Sequence, residues 1–380
     1  MSKQFTRFGE AVSRRKVIGG LGTVGAAALA GCGGGGGNGS SGGSSVSSIA
    51  GSGSSFVAPL MSKWATEYNK QNGLKVNYAS IGSGGGVSNL LKKTKVFAGS
   101  DAPLQKNQYQ TVQSDGGAVH VPESLGAIAP VFNVDGVSSL KVTGPVLADI
   151  FLGNVTSWDD PKLTDLNPDA NLPSADITVV HRSDASGTTY GFTGYLSQVS
   201  DGWKNGPGQT ESPDWPTGVG GKGNEGVAAK MKQQSNAIGY VELTYAKTQN
   251  IDIFSLKNEA GNFVDASPEG VSAAAAGAAS SLPKGTADWS DVSISNAPGE
   301  KTWPISTFTY VIMYQDFGQA YKNVSEAKMK ATLEFVKWAI TDGQQYAPPL
   351  HYPQLPDPAV KLNEQTLNNM TYNGNVVLQG

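Results

Sequence analysis

Apolar positions along this chain recur at two spacings that take turns. Leu60, Trp64 and Tyr68 are spaced for one face of a helix that opens near Ser55, and Val76-Asn77-Tyr78 follows as a short strand. Val87 to Lys93 reads as a second helix. Leu125 to Val134 is an apolar run that suits a buried strand leaving a first domain. Asp176 to Val180 is β-branched, runs into His181-Arg182, and gives way to a small-residue turn that opens another helix. Ala237 to Val241 and Phe308 to Tyr314 are further strands. Between them, Lys162 to Pro173 is loop-rich, and Ser267-Pro268-Glu269 caps an Ala-rich helix through about Ala279. Ser325 starts a last amphipathic helix with Met329, Leu333, Val336 and Ile340 on one face, stopping at Gly343. Strands alternating with helices predict an α/β fold. Two halves joined by more than one crossing segment would place a ligand in the cleft between them.

The start of the chain follows another pattern. Ser13-Arg14-Arg15-Lys16 precedes a mildly apolar stretch from Val17 to Ala30, too short for a spanning helix but suited to a signal segment with paired arginines. Leu29-Ala30-Gly31-Cys32 resembles a bacterial lipobox, which predicts removal of residues 1–31 and lipidation of Cys32. Residues 33–48 are almost wholly Gly and Ser, the composition of a flexible tether. An anchored body on a tether implies work at the outer face of a membrane.

Composition narrows the chemistry. Gly makes up 49 of 380 residues, nearly twice the usual share, so much of the chain must be turn or linker. The formal charge of −3 includes five bases and one acid in the first 31 residues; without them, 23 bases face 30 acids. A general basic surface for nucleic acid is therefore excluded. Cys32 is the single cysteine, and His120, His181 and His351 lie far apart in sequence. An internal disulfide framework is excluded, and a cysteine- or histidine-rich metal site is not expected.

Three loops stand before predicted helices. Gly51-Ser52-Gly53-Ser54-Ser55-Phe56 precedes the first, Gly82-Ser83-Gly84-Gly85-Gly86 the second, and Arg182-Ser183-Asp184-Ala185-Ser186-Gly187-Thr188 a third. Helix N-termini offer unpaired N–H groups and positive dipole ends, so each loop can cradle an anion. On the residues alone a plainer reading stands beside this one. Ser55 and Ser186 would be capping serines, Phe56 a hydrophobic staple, Arg182–Asp184 a surface pair, and Asp101 a turn cap. The second loop is not a dinucleotide fingerprint, because Val87 stands where the last glycine is needed. Trp215 to Asn224 is not a P-loop, because Pro216 replaces its first Gly and Gly223 follows Lys222.

Taken in order, GSGSSFVAPL, VNYASIGSGGGV, AGSDAPL, LGNVTSWDD, VVHRSDASGTT, WPTGVGGKGNEGVA, NAIGYVE and TWPIST carry a resemblance. From about Ile49 to the Pro356 region the chain resembles the periplasmic phosphate-binding proteins of bacterial phosphate ABC transporters. The resemblance implies a two-lobed periplasmic-binding-protein fold, each lobe a mixed sheet flanked by helices, joined by two hinge strands. Lobe I would be residues 49–125 and 306–380, and lobe II residues 126–305. It implies phosphate ligands at Ser55, Phe56, Ser83, Asp101, Arg182, Ser186, Gly187 and Thr188, with Asp184 pairing the arginine. Ser55 stands where threonine is familiar, Val57 where proline is common and His181 where arginine is common; none removes an expected ligand. No cofactor, metal or catalysis is implied. The implied partners are phosphate, a membrane-embedded permease with its ATPase, and a membrane holding the lipid anchor, for a monomer in the periplasm or on the outer face of the cell membrane.

Asp101 is the discriminating residue in that set. A carboxylate beside an anion repels it unless the anion carries a proton the carboxylate can accept. Hydrogen phosphate has one and sulfate does not, so sulfate would be rejected by ~10⁴-fold. The rival readings are another oxyanion (sulfate, molybdate, a phosphonate) or a phosphatase using Ser55 or Ser186 as nucleophile.

Overall fold

A computed structural model describes residues 46–378 except Ser280. The predicted signal segment, Cys32 and most of the tether lie outside the described residues. The backbone alternates as the apolar spacing predicts. Strand β1 (Ser48–Gly53) leads to α1 (Ala58–Asn72), β2 (Lys75–Ser80), α2 (Ser83–Leu91) and β3 (Phe97–Ser100). A long strand, β4 (Ala118–Asn133), enters the second half of the chain. There β5 (Thr178–Arg182) feeds α3 (Gly187–Val199), β6 (Val219–Gly221) feeds α4 (Gly223–Gln233), and β7 is Ala237–Glu242. Strand β8 (Ser306–Tyr314) returns to the first half, which α5 (Glu326–Ile340) covers.

The main sheet runs β2-β1-β3-β8-β4-β7-β5-β6, with Asp252–Ile253 also pairing on β4. β1 is parallel to β2 and β3, and β5 is parallel to β6 and β7. Both parallel sets are reached through helices, as parallel connections require. β4 joins them. It pairs antiparallel with β8 from Ala118 to Ala127, then with β7 from Ile128 to Asn133. A single strand thus serves two half-sheets, and the sheet divides into two lobes where its partner changes. Trp303 donates its indole N–H to the Ile128 carbonyl at 3.1 Å, clamping the other crossing segment to the same point.

Several boundaries move from their expected places. α2 begins at Ser83 rather than near Val87, because Gly82 takes a left-handed φ of 86° that turns the chain into the helix directly. α1 begins at Ala58 with Val57 before it, so Ser55 does not cap it. The strand expected from Leu125 starts at Ala118; it includes the buried polar residues Glu123 and Ser124, where the pairing with β8 shifts register, Thr309 facing Ser124 and Tyr310 facing Pro122. The Ala-rich helix ends at Ala276, and α5 ends at Ile340, with Gly343 inside a following 3₁₀ turn (Asp342–Tyr346). No helix of the described residues is long and apolar enough to cross a membrane.

Candidate functional site

Every N-terminal loop singled out in the sequence ends at the junction of the two half-sheets. Ser55, Phe56, Ser83, Asp101, Arg182, Ser186, Gly187 and Thr188 are all buried. Asp101 comes directly after β3, and Arg182 is the last residue of β5, where parallel strands present their carboxyl ends. Ser83 and Gly187 are the first residues of α2 and α3. Gly187 has a steric reason to be glycine: a Cβ there would lie 2.6 Å from Ser83 Oγ and 2.7 Å from the Asp101 nitrogen. Only a bare backbone lets α3 close against both residues.

Hydrogen bonds link the set. Thr188 Oγ1 accepts from Arg182 Nη1 at 3.3 Å and donates to Asp101 Oδ2 at 3.2 Å. Ser54 Oγ donates to Asp101 Oδ1, and the Asp101 N–H reaches Ser83 Oγ at 3.3 Å. Arg182 grips Asp184 with two bonds, Nε to Oδ1 at 2.9 Å and Nη2 to Oδ2 at 2.6 Å. The pair is not a surface pair, since the arginine side chain is only 1% exposed. Asp184 also accepts the Gly223 N–H at 3.0 Å, so the guanidinium plane is held from two directions.

Proton bookkeeping on the hydroxyls decides what the site can do. Ser55 Oγ accepts from the Asn224 backbone N–H (3.0 Å) and from its amide Nδ2 (3.1 Å). Ser186 Oγ accepts the Thr189 N–H at 3.2 Å, so the plain capping reading holds for it, and Ser83 Oγ accepts from Asp101. All three hydroxyls are therefore accepting from N–H groups, and each keeps its own proton to give. Three spare O–H donors, a fixed guanidinium and helix N-termini suit an anion. Phe56 differs from expectation: its N–H donates to Ser54 Oγ at 2.9 Å, while its ring is fully buried near Tyr352.

Asn224, absent from the expected set, ties the halves together. Its Oδ1 accepts the Glu242 N–H at 2.9 Å, which orients Nδ2 toward Ser55 and Thr188 (3.1 Å each). The N–H of Asn224 lies in the first turn of α4, a fourth helix start at the junction. Trp215 to Asn224 resembles a P-loop only through Lys222 and its glycines, a pattern in which this amide has no part. Ser54, just past the end of β1, is likewise outside the expected set.

The electrostatics are unusual for an anion site. Arg182 is the one cation among the candidate residues, and carboxyl groups surround it. Burial raises Asp101 to about 6, with the Ser54 hydrogen bond and the Arg182 charge opposing the shift. Burial likewise raises Glu123 and Glu242 to about 8 and Glu211 to about 7. Each of these three has one carboxyl oxygen without a hydrogen-bond partner, consistent with a proton residing there. Burial also pushes Asp184 up, but the hydrogen bonds and charge of Arg182 outweigh it and hold it below the usual range. A cavity of about 240 Å³ beside the site is lined by Asp101, Tyr190, Gln209 and Thr307 but by none of the other seven candidates. His181 stacks on Trp215 at 4.6 Å. Among the described residues, no group of three or more His, Cys, Asp or Glu side chains is arranged to hold a metal.

Comparison with known proteins places this geometry. Residues 38–342 match the family model of the PBP superfamily domain. The chain is 42% identical over 319 residues to the phosphate-binding protein PstS of Xylella fastidiosa, covering 82% of each. The chain belongs to the PstS phosphate-binding protein family. It is 44% identical to PstS of Haemophilus influenzae over 310 residues, 80% of this chain and 88% of that one. Among solved structures, it is similar to the high-affinity periplasmic phosphate-binding protein PfluDING bound with phosphate. The TM-score is 0.66 at 20% identity, covering 85% of this chain and 99% of the other, a likeness that shows the shared fold.

Proposed function

We propose that this protein binds inorganic phosphate between its two lobes, outside the cytoplasmic membrane, and delivers it to an ABC-type phosphate permease with its ATPase. Lobe I is residues 49–125 with 306–380, and lobe II is residues 126–305. Ser55, Ser83 and Ser186 donate hydroxyl protons to the anion, Gly187 and Thr188 offer backbone N–H groups, and Arg182 supplies the charge, while the Phe56 N–H stays on Ser54 Oγ. Thr188 Oγ1 stays with Asp101, and Asp184 keeps the guanidinium in plane. Closure of the lobes dries the site and strengthens every one of these bonds.

The observation that carries the reading is Asp101 inside the donor cradle. Above a pH of about 6 it is ionised and already accepts from Ser54 and Thr188. Only its remaining lone pairs face a ligand, so the ligand must bring a proton. Hydrogen phosphate and dihydrogen phosphate do; sulfate and molybdate do not. The reading assigns binding and release and no catalytic step. The candidate serines have no general base among their hydrogen-bond partners, and His181 is occupied by Trp215 and the Arg182 carbonyl. Cys32, outside the described residues, is assigned the lipid anchor.

Isothermal titration calorimetry with phosphate and sulfate at neutral pH tests the assignment. Tight one-to-one phosphate binding with sulfate weaker by ~10⁴-fold is expected, and Asp101→Asn narrows that gap. Equal affinity of the unaltered protein for both anions would overturn it. Steady turnover of a chromogenic phosphate ester would replace binding with catalysis.

A further inference from the structure

We propose that Ser54 is a further specificity-determining residue, a positioning hydroxyl that holds Asp101 as a proton acceptor and thereby makes the site demand a protonated anion. The inference rests on the phosphate reading and deepens it. Ser54 ends the turn out of β1, and its backbone is clamped on both sides. Its N–H donates to the Gly99 carbonyl at 2.8 Å, and its carbonyl accepts the Tyr78 hydroxyl at 3.0 Å. The side chain has little freedom left, being 1% exposed.

Two hydroxyl relays end on Asp101. In the first, the Phe56 N–H occupies a lone pair of Ser54 Oγ at 2.9 Å, and the Ser54 hydroxyl donates to Asp101 Oδ1. In the second, Arg182 Nη1 and Asn224 Nδ2 occupy Thr188 Oγ1 at 3.3 and 3.1 Å, so the Thr188 proton goes to Asp101 Oδ2. N–H groups cannot reverse their role; they take both lone pairs of Thr188 Oγ1, which fixes the second relay, and one of the two on Ser54 Oγ, which leaves Ser54 its proton to give to Asp101. Each carboxyl oxygen therefore receives a donor, an arrangement that favours the ionised form over the acid. A protonated Oδ2 would meet a Thr188 hydroxyl with no lone pair free, and a protonated Oδ1 would have to displace the proton that Ser54 gives it.

The consequence is chemical selectivity. An ionised Asp101 presents lone pairs, which a P–OH group satisfies and a sulfate oxygen repels. Removing the Ser54 hydroxyl frees Oδ1 to carry a proton, and a protonated Asp101 can donate to sulfate. The groups facing Asp101 from neighbouring elements are Arg182, Glu123, Glu211 and Glu242, with neutral Tyr78, Tyr245 and Tyr310. They remain the same in parent and variant, so a displacement between the two pH profiles reports on Asp101.

The experiment is calorimetry with inorganic phosphate and inorganic sulfate on the parent, Ser54→Ala and Ser54→Thr, from about pH 5.5 to about pH 8.5. In the parent, discrimination collapses as pH falls through the Asp101 midpoint. Ser54→Ala should lower the sulfate-to-phosphate Kd ratio by ~10-fold or more at neutral pH and move the collapse to higher pH. Ser54→Thr should restore both. Equal weakening of both anions with an unmoved profile would mark Ser54 as merely structural and overturn the proposal. So would a parent-like ratio in Ser54→Ala. If Ser54→Ala does not fold, Ser54→Cys, whose thiol is a weak donor, must show the same upward displacement or the proposal fails. Absence of discrimination in the parent at neutral pH refutes the phosphate reading, and this inference falls with it; that outcome is read before any variant is made.

Discussion

Asn224 shows how much a single uncharged side chain can organise. Its carbonyl is fixed by the Glu242 N–H, and its amide then supplies bonds to Ser55 and Thr188, residues that belong to opposite half-sheets. Asn224→Ala removes one of the two donors that hold Ser55, leaving only the backbone N–H, and removes a donor from Thr188. Phosphate affinity by calorimetry is expected to fall ~10-fold or more, while far-UV circular dichroism stays that of the parent. Arg182→Lys is a sharper test of geometry. An ammonium keeps the charge but cannot hold Asp184 through two parallel bonds, so a loss of ~100-fold is expected despite equal charge. Ser186, Arg182 and Asp101 were legible as chemistry in the sequence because their types are unusual beside glycine-rich turns. Asn224 and Ser54 were not, because an amide or a serine in a turn normally serves its own backbone. What made them different was a partner far away in sequence.

The elements converge because glycine lets them approach. α3 meets Ser83 and Asp101 at a distance that no side chain on Gly187 can survive. In Gly187→Ala the helix must retreat by several tenths of an ångström, pulling Thr188 from Asp101 and spoiling the donor cradle. The helix itself should be undisturbed, since alanine is the better helix former. Phosphate binding is expected to drop by ~100-fold or more beside a stability loss of about 1–3 kcal/mol from overpacking, and a differential scanning measurement beside the titration separates the two effects. Element types were readable from spacing, because burial on one face imposes its period on the sequence. Starts and stops were less so: α1 and α2 begin where backbone turns allow, at Ala58 and Ser83. α2 gains its early start from a left-handed glycine, which a hydrophobic pattern does not register.

At the scale of the molecule, the junction holds more acids than its one arginine can neutralise. Glu123 and Glu242, raised to about 8, and Glu211, raised to about 7, bind protons in the folded state that the unfolded chain releases above its ordinary value of 4.5. Stability they contribute is present below that value and is lost as pH rises through the folded values. His120, lowered to about 3 by burial, acts the other way, costing stability as pH falls below 6.5. The thermal midpoint of the ligand-free protein should therefore fall by roughly 5 °C or more between about pH 6.5 and about pH 9. Glu242→Gln should flatten part of that decline; an unchanged slope would place the protons elsewhere. The alternation of strands and helices, the acidic balance and the glycine loops are local properties, and the chain order alone determined them. The meeting of those loops is not local. It depends on β4 changing partners between Ala127 and Ile128, which brings a carboxylate from one half-sheet to a guanidinium from the other. Tertiary structure decided which hydroxyls keep a proton to give, because a hydroxyl's role is set by the N–H groups that reach it, and those come from distant parts of the chain.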